Sequence, residues 1–245
     1  MSSFAYVWNE YKHYLRRPNP EISFYEDEAS PATRFWICVL LSFMLVIPVM
    51  AIFGILEQYK LFPDTDEHAV KKMLESTPFP LVFLAGAIVG PIIEELGFRL
   101  ALVPKKWYFV ISSWIVSGYY VMLFYQNKST IAAAAVLLVL MLLTALMVGM
   151  PQQWNYRFQL LYSLHYPYLF YGLALLFAIV HLMNYTLSWQ VVLLSPVLVL
   201  PQFILGTVLG YLRMRQGMAW AIALHITYNS ILLALTYYGM QQEVI

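Results

Sequence analysis

The sequence is poor in cysteine and in charge. Cys38 is its one cysteine, which excludes an intrachain disulfide and any multi-cysteine metal cage. A lone Cys inside an apolar run behaves as a small packing residue. Charged side chains make up 11% of the 245 residues, against 61% hydrophobic. No water-soluble domain of that length hides so much apolar surface in one core. Net charge is +1 and no run of five Lys or Arg occurs, so the electrostatic footprint of a nucleic-acid binder is missing and no nucleic-acid partner is expected. GxSxG, HExxH, GxGxxG and a Walker loop are absent too, as is any Ser-Lys or Cys-His pattern in a matching span. A water nucleophile is favoured over a covalent one on that ground. The basic, apolar, small-residue order of a cleavable signal peptide is missing, so the first apolar run is expected to stay in the mature protein. No internal repeat stands out, and low complexity is confined to four alanines at 132–135, read as part of a close-packed helix.

What the chain does have is long apolar runs. A bilayer core takes roughly 20 apolar residues per helix. Seven runs qualify, at about 35–56, 79–103, 107–125, 130–150, 167–186, 189–212 and 218–238; a re-entrant piece near 158–164 would make an eighth. The expected fold is all-α, a polytopic transmembrane helix bundle in contact with membrane lipids. Lys and Arg near span ends prefer the cytoplasmic side. With the N-terminus inside, the inner segments hold nine of them and the outer segments four, which predicts N-terminus in and C-terminus out.

Residues 1–34 mix aromatic and charged side chains. They read as a segment at the headgroup level or, equally, as a disordered cytoplasmic tail. Residues 35–245 read as a single bundle, and 57–77 as a solvated connection. Within it DTDEH at 64–68 has the composition of a metal cluster, but a solvated charged loop is the preferred reading. Asn127 and Asn184 each begin an Asn-x-Ser/Thr tripeptide, a pattern too common to imply glycosylation.

Ionisable groups within spans cost about 2.5 to 3.5 kcal/mol each on insertion scales for Arg, Lys or Asp, so they mark a site or a buried pair. Here they are Glu94, Glu95, Arg99, His181 and His225, with Asn229 as a neutral companion. Glu95 and Arg99 are four apart, acid before base, the better order for an ion pair on a helix. Glu94 points about 100° away from Glu95 and cannot share Arg99 equally. It is the carboxylate left over for chemistry. Phe177 and His181 lie one turn apart on the fifth span, His225 and Asn229 one turn apart on the seventh. A single intramembrane His is often a packing residue; two His, one Asn and a spare Glu on three spans are better explained by one shared polar pocket.

That set allows two chemistries. Two His and a carboxylate can hold one metal ion with water positions left open. Without metal, a glutamate base can orient a water while His and Asn donate to the oxyanion formed at a carbonyl. Both hydrolyse amides. Two readings of another class stand beside them: a proton-coupled transporter using a Glu/His relay, which lacks the inverted repeats or paired broken spans of transporters, and a non-catalytic immunity or scaffold protein that keeps the residues for packing.

The order EExxxR (Glu94, Glu95, Arg99), FxxxH (Phe177, His181) and HxxxN (His225, Asn229), each inside a span, resembles the CPBP family of intramembrane proteases. That family includes the CAAX prenyl endopeptidases and the bacterial Abi and bacteriocin-processing proteins. The resemblance covers roughly 81–238. It implies a peptidase acting on a membrane-associated or lipidated peptide or protein, in which Glu94 and His181 activate water while His225 and Asn229 stabilise the oxyanion. Glu95, Arg99 and Phe177 would be supporting residues. No cofactor is favoured; zinc, held by Glu94, His181 and His225, is the alternative. A bacterial inner membrane is the expected location. The chain departs from the family pattern in two ways. Glu94 and His181 stand 87 positions apart, which reads as a two-helix insertion at about 105–150 between core segments at 79–104 and 167–238. His181 also falls near the outer end of its span, whereas Glu94 and His225 lie about eight or nine residues from their inner ends.

Overall fold

The structure is a computed structural model. It describes residues 2–20, 29–61, 69–126, 128–186 and 188–243, the side chains of 152–155 and 243 excepted. Every regular element among them is helical. In chain order these are α1 (Ser3–Arg16), α2 (Pro31–Gln58), α3 (Ala69–Ser76), α4 (Phe79–Leu102), α5 (Lys106–Gln126), α6 (Thr130–Gly149), α7 (Gln152–Leu164), α8 (Tyr166–Asn184), α9 (Trp189–Gln216) and α10 (Met218–Glu243). Among the described residues seven of them, α2, α4, α5, α6, α8, α9 and α10, are long and apolar enough to cross a membrane. The all-α bundle and its seven spans stand as expected, and the protein is an integral, multi-pass membrane protein.

Prolines shape two of the spans. In α4 the chain runs as α-helix over Phe79–Phe83, π-helix over Leu84–Val89 and α-helix again over Gly90–Phe98. The π turn precedes Pro91, whose ring would clash with the carbonyl four residues back in a regular helix. In α9 the helix breaks at Val199, between Trp189–Leu198 and Leu200–Gln216, where Pro201 cannot donate to the preceding turn.

The second half of α9 is the centre of the bundle, with Leu205, Val208, Leu209, Tyr211 and Leu212 buried against α2, α10 and α1. Its contact with α8 depends on two glycines one turn apart. A Cβ at Gly206 would come within 3.3 Å of both Phe177 and Arg99, and one at Gly210 within 2.6 Å of the Phe170 ring. Small residues at i and i+4 let two membrane helices approach closely.

Two sequence expectations change. Over residues 3–16 the N-terminal segment is a packed helix and not a disordered tail. Ser2 caps α1 by accepting from the Ala5 N–H, and Val7 and Tyr11, one turn apart, are buried in the bundle. Tyr11 and Thr207 hydroxyls bond at 2.7 Å. Glu10 accepts from the Tyr211 hydroxyl at 2.8 Å and pairs with Arg34 at 3.4 Å and Arg215 at 2.5 Å. Aromatic and charged residues in one short segment gave no hint that both faces of the helix had partners waiting on α2 and α9. The connection at 57–77 contains α3, whose Leu74 is buried against Val82, Ala87 and Leu233; the DTDEH stretch lies outside the described residues, as does Asn127. The re-entrant piece considered near 158–164 falls within the separate helix α7, whose 13 residues are too few to cross a bilayer and are of the length of a re-entrant or interfacial segment.

Candidate active site

The acidic motif occupies the last α-helical turns of α4. Glu95 is fully buried and Glu94 is 17% exposed, so of the two only Glu94 is partly accessible. Their separation around the helix has the expected consequence, with one addition. Glu95 Oε1 lies 3.3 Å from Arg99 Nη1 and also accepts from His225 Nδ1 at 2.9 Å. Pairing Glu95 with Arg99 alone missed this second partner, because the contact spans 130 positions and nothing local signals it. A carboxylate can only accept, so the His225 Nδ1 carries a proton. Nε2 of the same ring faces the other glutamate, 3.5 Å from Glu94 Oε2. The two adjacent glutamates thus face opposite nitrogens of one imidazole, Glu95 through a hydrogen bond and Glu94 at a longer distance without one.

Arg99 is buried with its guanidinium 4.0 Å from the centre of the Phe177 ring, a cation–π stack made possible by the missing side chain at Gly206. Phe177 in turn stands edge-on to His181 at 4.8 Å and to His225 at 5.7 Å. His181 Nδ1 hydrogen-bonds the Phe177 carbonyl at 2.8 Å, which fixes the ring and leaves Nε2 uncommitted. His181 interacts electrostatically with Glu94, His225 and Arg99.

The expected mismatch in depth does not arise. Leu102, at the end of α4, packs with Tyr166, Phe170 and Met214, so the first turn of α8 runs past α4. Phe177 is then level with Arg99, and one turn further on His181 comes level with Glu95 and Glu94.

Asn229 has a hydrogen bond of its own within the bundle. Its Nδ2 donates to the Gly86 carbonyl at 3.0 Å. In the π turn Gly90 N–H bonds the Ala85 carbonyl, five residues back. The next donor in that pattern would be residue 91, a proline without an N–H. Gly86 therefore keeps an open acceptor, and Asn229 fills it. The Gly90-Pro91 pair was the sequence signal for this, since a proline inside a span always frees a carbonyl upstream. The second hydrogen of the amide is not needed for that bond.

A metal site needs ligands that converge. Glu94 Oε2 is buried without a hydrogen-bond partner among the described residues, and His225 Nε2 is near it. Yet among the described residues no group of three His, Cys, Asp or Glu side chains is arranged to hold an ion. The donor set as it stands does not fit a three-ligand zinc centre.

Residues 133–231 match the family model Rce1-like, described as type II CAAX prenyl endopeptidase Rce1-like. That match supports the CPBP/CAAX protease family for this chain. The Rce1-like segment contains Phe177, His181, His225 and Asn229, and it begins within α6, in the second of the two helices read as an insertion. Glu94, Glu95 and Arg99 precede it and join it through the His225 and Phe177 contacts. No curated protein and no solved structure matches the chain.

Proposed function

We propose that the protein is an intramembrane endopeptidase that hydrolyses a peptide bond of a membrane-associated or lipidated substrate, with Glu94 as the base for the attacking water. The family match supports peptidase activity of the CAAX type. The observation that carries the reading is the division of labour across His225, whose Nδ1 is bonded by Glu95 while Nε2 faces the partly exposed Glu94 at 3.5 Å.

In this reading a water bound at Glu94, with His181 beside it, loses a proton to the carboxylate as its oxygen attacks the scissile carbonyl. Glu95 holds the His225 ring and stabilises its protonated form, so that Nε2–H donates to the oxyanion that develops. Asn229 keeps one amide hydrogen for the same oxyanion while the other holds the π turn. Arg99 pairs with Glu95 in an apolar surround, and Phe177 packs the ion pair and both histidines together. The membrane we assign is a bacterial inner membrane, and no metal enters the proposed step.

The test is hydrolysis of an internally quenched farnesylated peptide ending in a Cys-aliphatic-aliphatic-X sequence, and of a quenched peptide library, by purified protein in detergent. Removal of a general base lowers turnover by about 10² to 10⁴-fold. Glu94→Gln should show that loss with its melting temperature unchanged. A variant as active as the parent, or a parent that cleaves neither probe, ends this reading.

A further inference from the structure

α4 meets α10 on both sides of its π turn. His225, Asn229, Leu233 and Tyr237 recur at every fourth position and form one stripe of α10. At the far end of that stripe Tyr237 stacks on Phe79 at 4.2 Å. Leu233 packs with Val82 and Ala87, the Asn229 amide donates to the Gly86 carbonyl at 3.0 Å, and His225 faces Glu95 and Glu94. One stripe of one helix thus meets α4 before the turn, at it and after it.

An unbroken α-helix would not present those residues to one neighbour. Glu95 stands 16 positions after Phe79. At about 100° per residue it would point about 160° away from Phe79, with Glu94 at about 60°. A π turn holds one residue more than an α turn, so everything after it is set back by about 100°. Glu95 then lies about 60° to one side of the Phe79 direction and Glu94 about 40° to the other. The pair straddles the direction of α10, in keeping with its approach to opposite nitrogens of His225. Ile93 is turned about 140° away, and it is an exposed side chain. Without the π turn Ile93 would take the direction of Glu94, and Glu94 that of Glu95.

Two residues build the turn. Gly90 N–H reaches the Ala85 carbonyl, five residues back, and a Cβ at this position would crowd that oxygen at 3.1 Å. Pro91 has no N–H with which to close the α pattern on Ala87. We infer that Gly90 and Pro91 are positioning residues, which by fixing the π turn decide which of the two adjacent glutamates is the base and which the support of His225. Their effect on turnover rests on the proposed hydrolase reading; the rotation of the helix does not. Asn229 has a share in the same task, since its bond to Gly86 holds the turn from α10.

The experiment joins Gly90→Ala with Pro91→Ala in the full chain, which restores the missing N–H and lets α4 close as a regular helix. A second variant adds to this pair the deletion of Val89, an exposed residue of the turn. The deletion takes out the surplus position and returns Glu94 and Glu95 to their directions. Rotation is read without activity, by introducing Ile93→Cys into the parent and both variants and following its alkylation by a membrane-permeant maleimide in detergent; Cys38 is buried. Alkylation should slow several-fold in the double variant and recover on deletion. On the farnesylated peptide, kcat of the double variant should fall by about 10²-fold, the scale of a misplaced catalytic group, with KM unchanged, and the deletion should restore most of it. A double variant that does not fold is read in the same way, by whether the deletion restores folding and turnover. If the parent cleaves and Glu94→Gln does not, but alkylation is alike in all three proteins or the deletion rescues nothing, the roles of Gly90 and Pro91 fall and the hydrolase reading survives. If Glu94→Gln is fully active, or the parent cleaves neither probe, both fall together.

Discussion

Helices α6 and α9 would both be marked as membrane spans from composition, and α6 is the more apolar of the two. In the bundle their positions are opposite. About 44% of the apolar stretch of α9 is buried against 11% of that of α6. Leu137, Leu138, Val139, Met141 and Leu142 of α6 all face outwards. Apolarity therefore selects a helix for the membrane and says nothing about its place within it. Lipid tails are as apolar as leucine, so the choice falls to small residues and polar pairs. α9 has both, in Gly206 and Gly210 against α8 and in Thr207 and Tyr211 against α1. On α6, the Thr144 hydroxyl accepts from Trp114 Nε1 of α5, and this is a bond on an exposed face.

The contrast can be pressed at several positions. Glu95→Gln should cost most, because it removes one member of a buried charge cluster and leaves Arg99 and His225 unmatched. About 3 to 5 kcal/mol is expected on breaking such a pair, read as the shift of an unfolding transition in a detergent titration, together with loss of cleavage. Gly210→Ala comes next, since its Cβ meets a buried ring and the packing of α8 on α9 must open. A loss of about 1 to 3 kcal/mol is the usual range for overpacking. The matching change on the outer pair, Gly118→Ala on α5, meets nothing within 4 Å. It should be neutral or stabilise by up to about 1 kcal/mol through helix propensity; equal losses at both glycines would undo the comparison. Leu138→Ala on α6 should change stability by about 0.5 kcal/mol or less, the range of surface substitutions. A loss of several times that would mean that the outer face of α6 has a partner in the membrane.

Much of this was legible before any coordinates. The spans expected at about 79–103 and 189–212 are Phe79–Leu102 and Trp189–Gln216, since length and apolarity are set by the thickness of the bilayer and need no tertiary information. The three motifs were legible because charge inside an apolar run is costly wherever it occurs. What could not be read was the partnership of each polar group. Glu95 was matched to Arg99 by local spacing, which is blind to His225 on a helix 130 positions away. The docking of α1 was hidden for a similar reason: its Tyr11 and Glu10 are ordinary in sequence and acquire meaning only beside Thr207, Arg34 and Arg215.

The sequence by itself determined that the chain is a seven-span helical bundle and which few side chains are too polar for their surroundings. Both follow from the energetics of transfer into hydrocarbon, a property of each segment alone. Tertiary structure decided which nitrogen of His225 faces which glutamate, that Asn229 answers a carbonyl freed by Pro91, and that α9 and not α6 lies at the centre. Those outcomes depend on directional contacts between groups far apart in the chain, and direction exists only once the helices are packed.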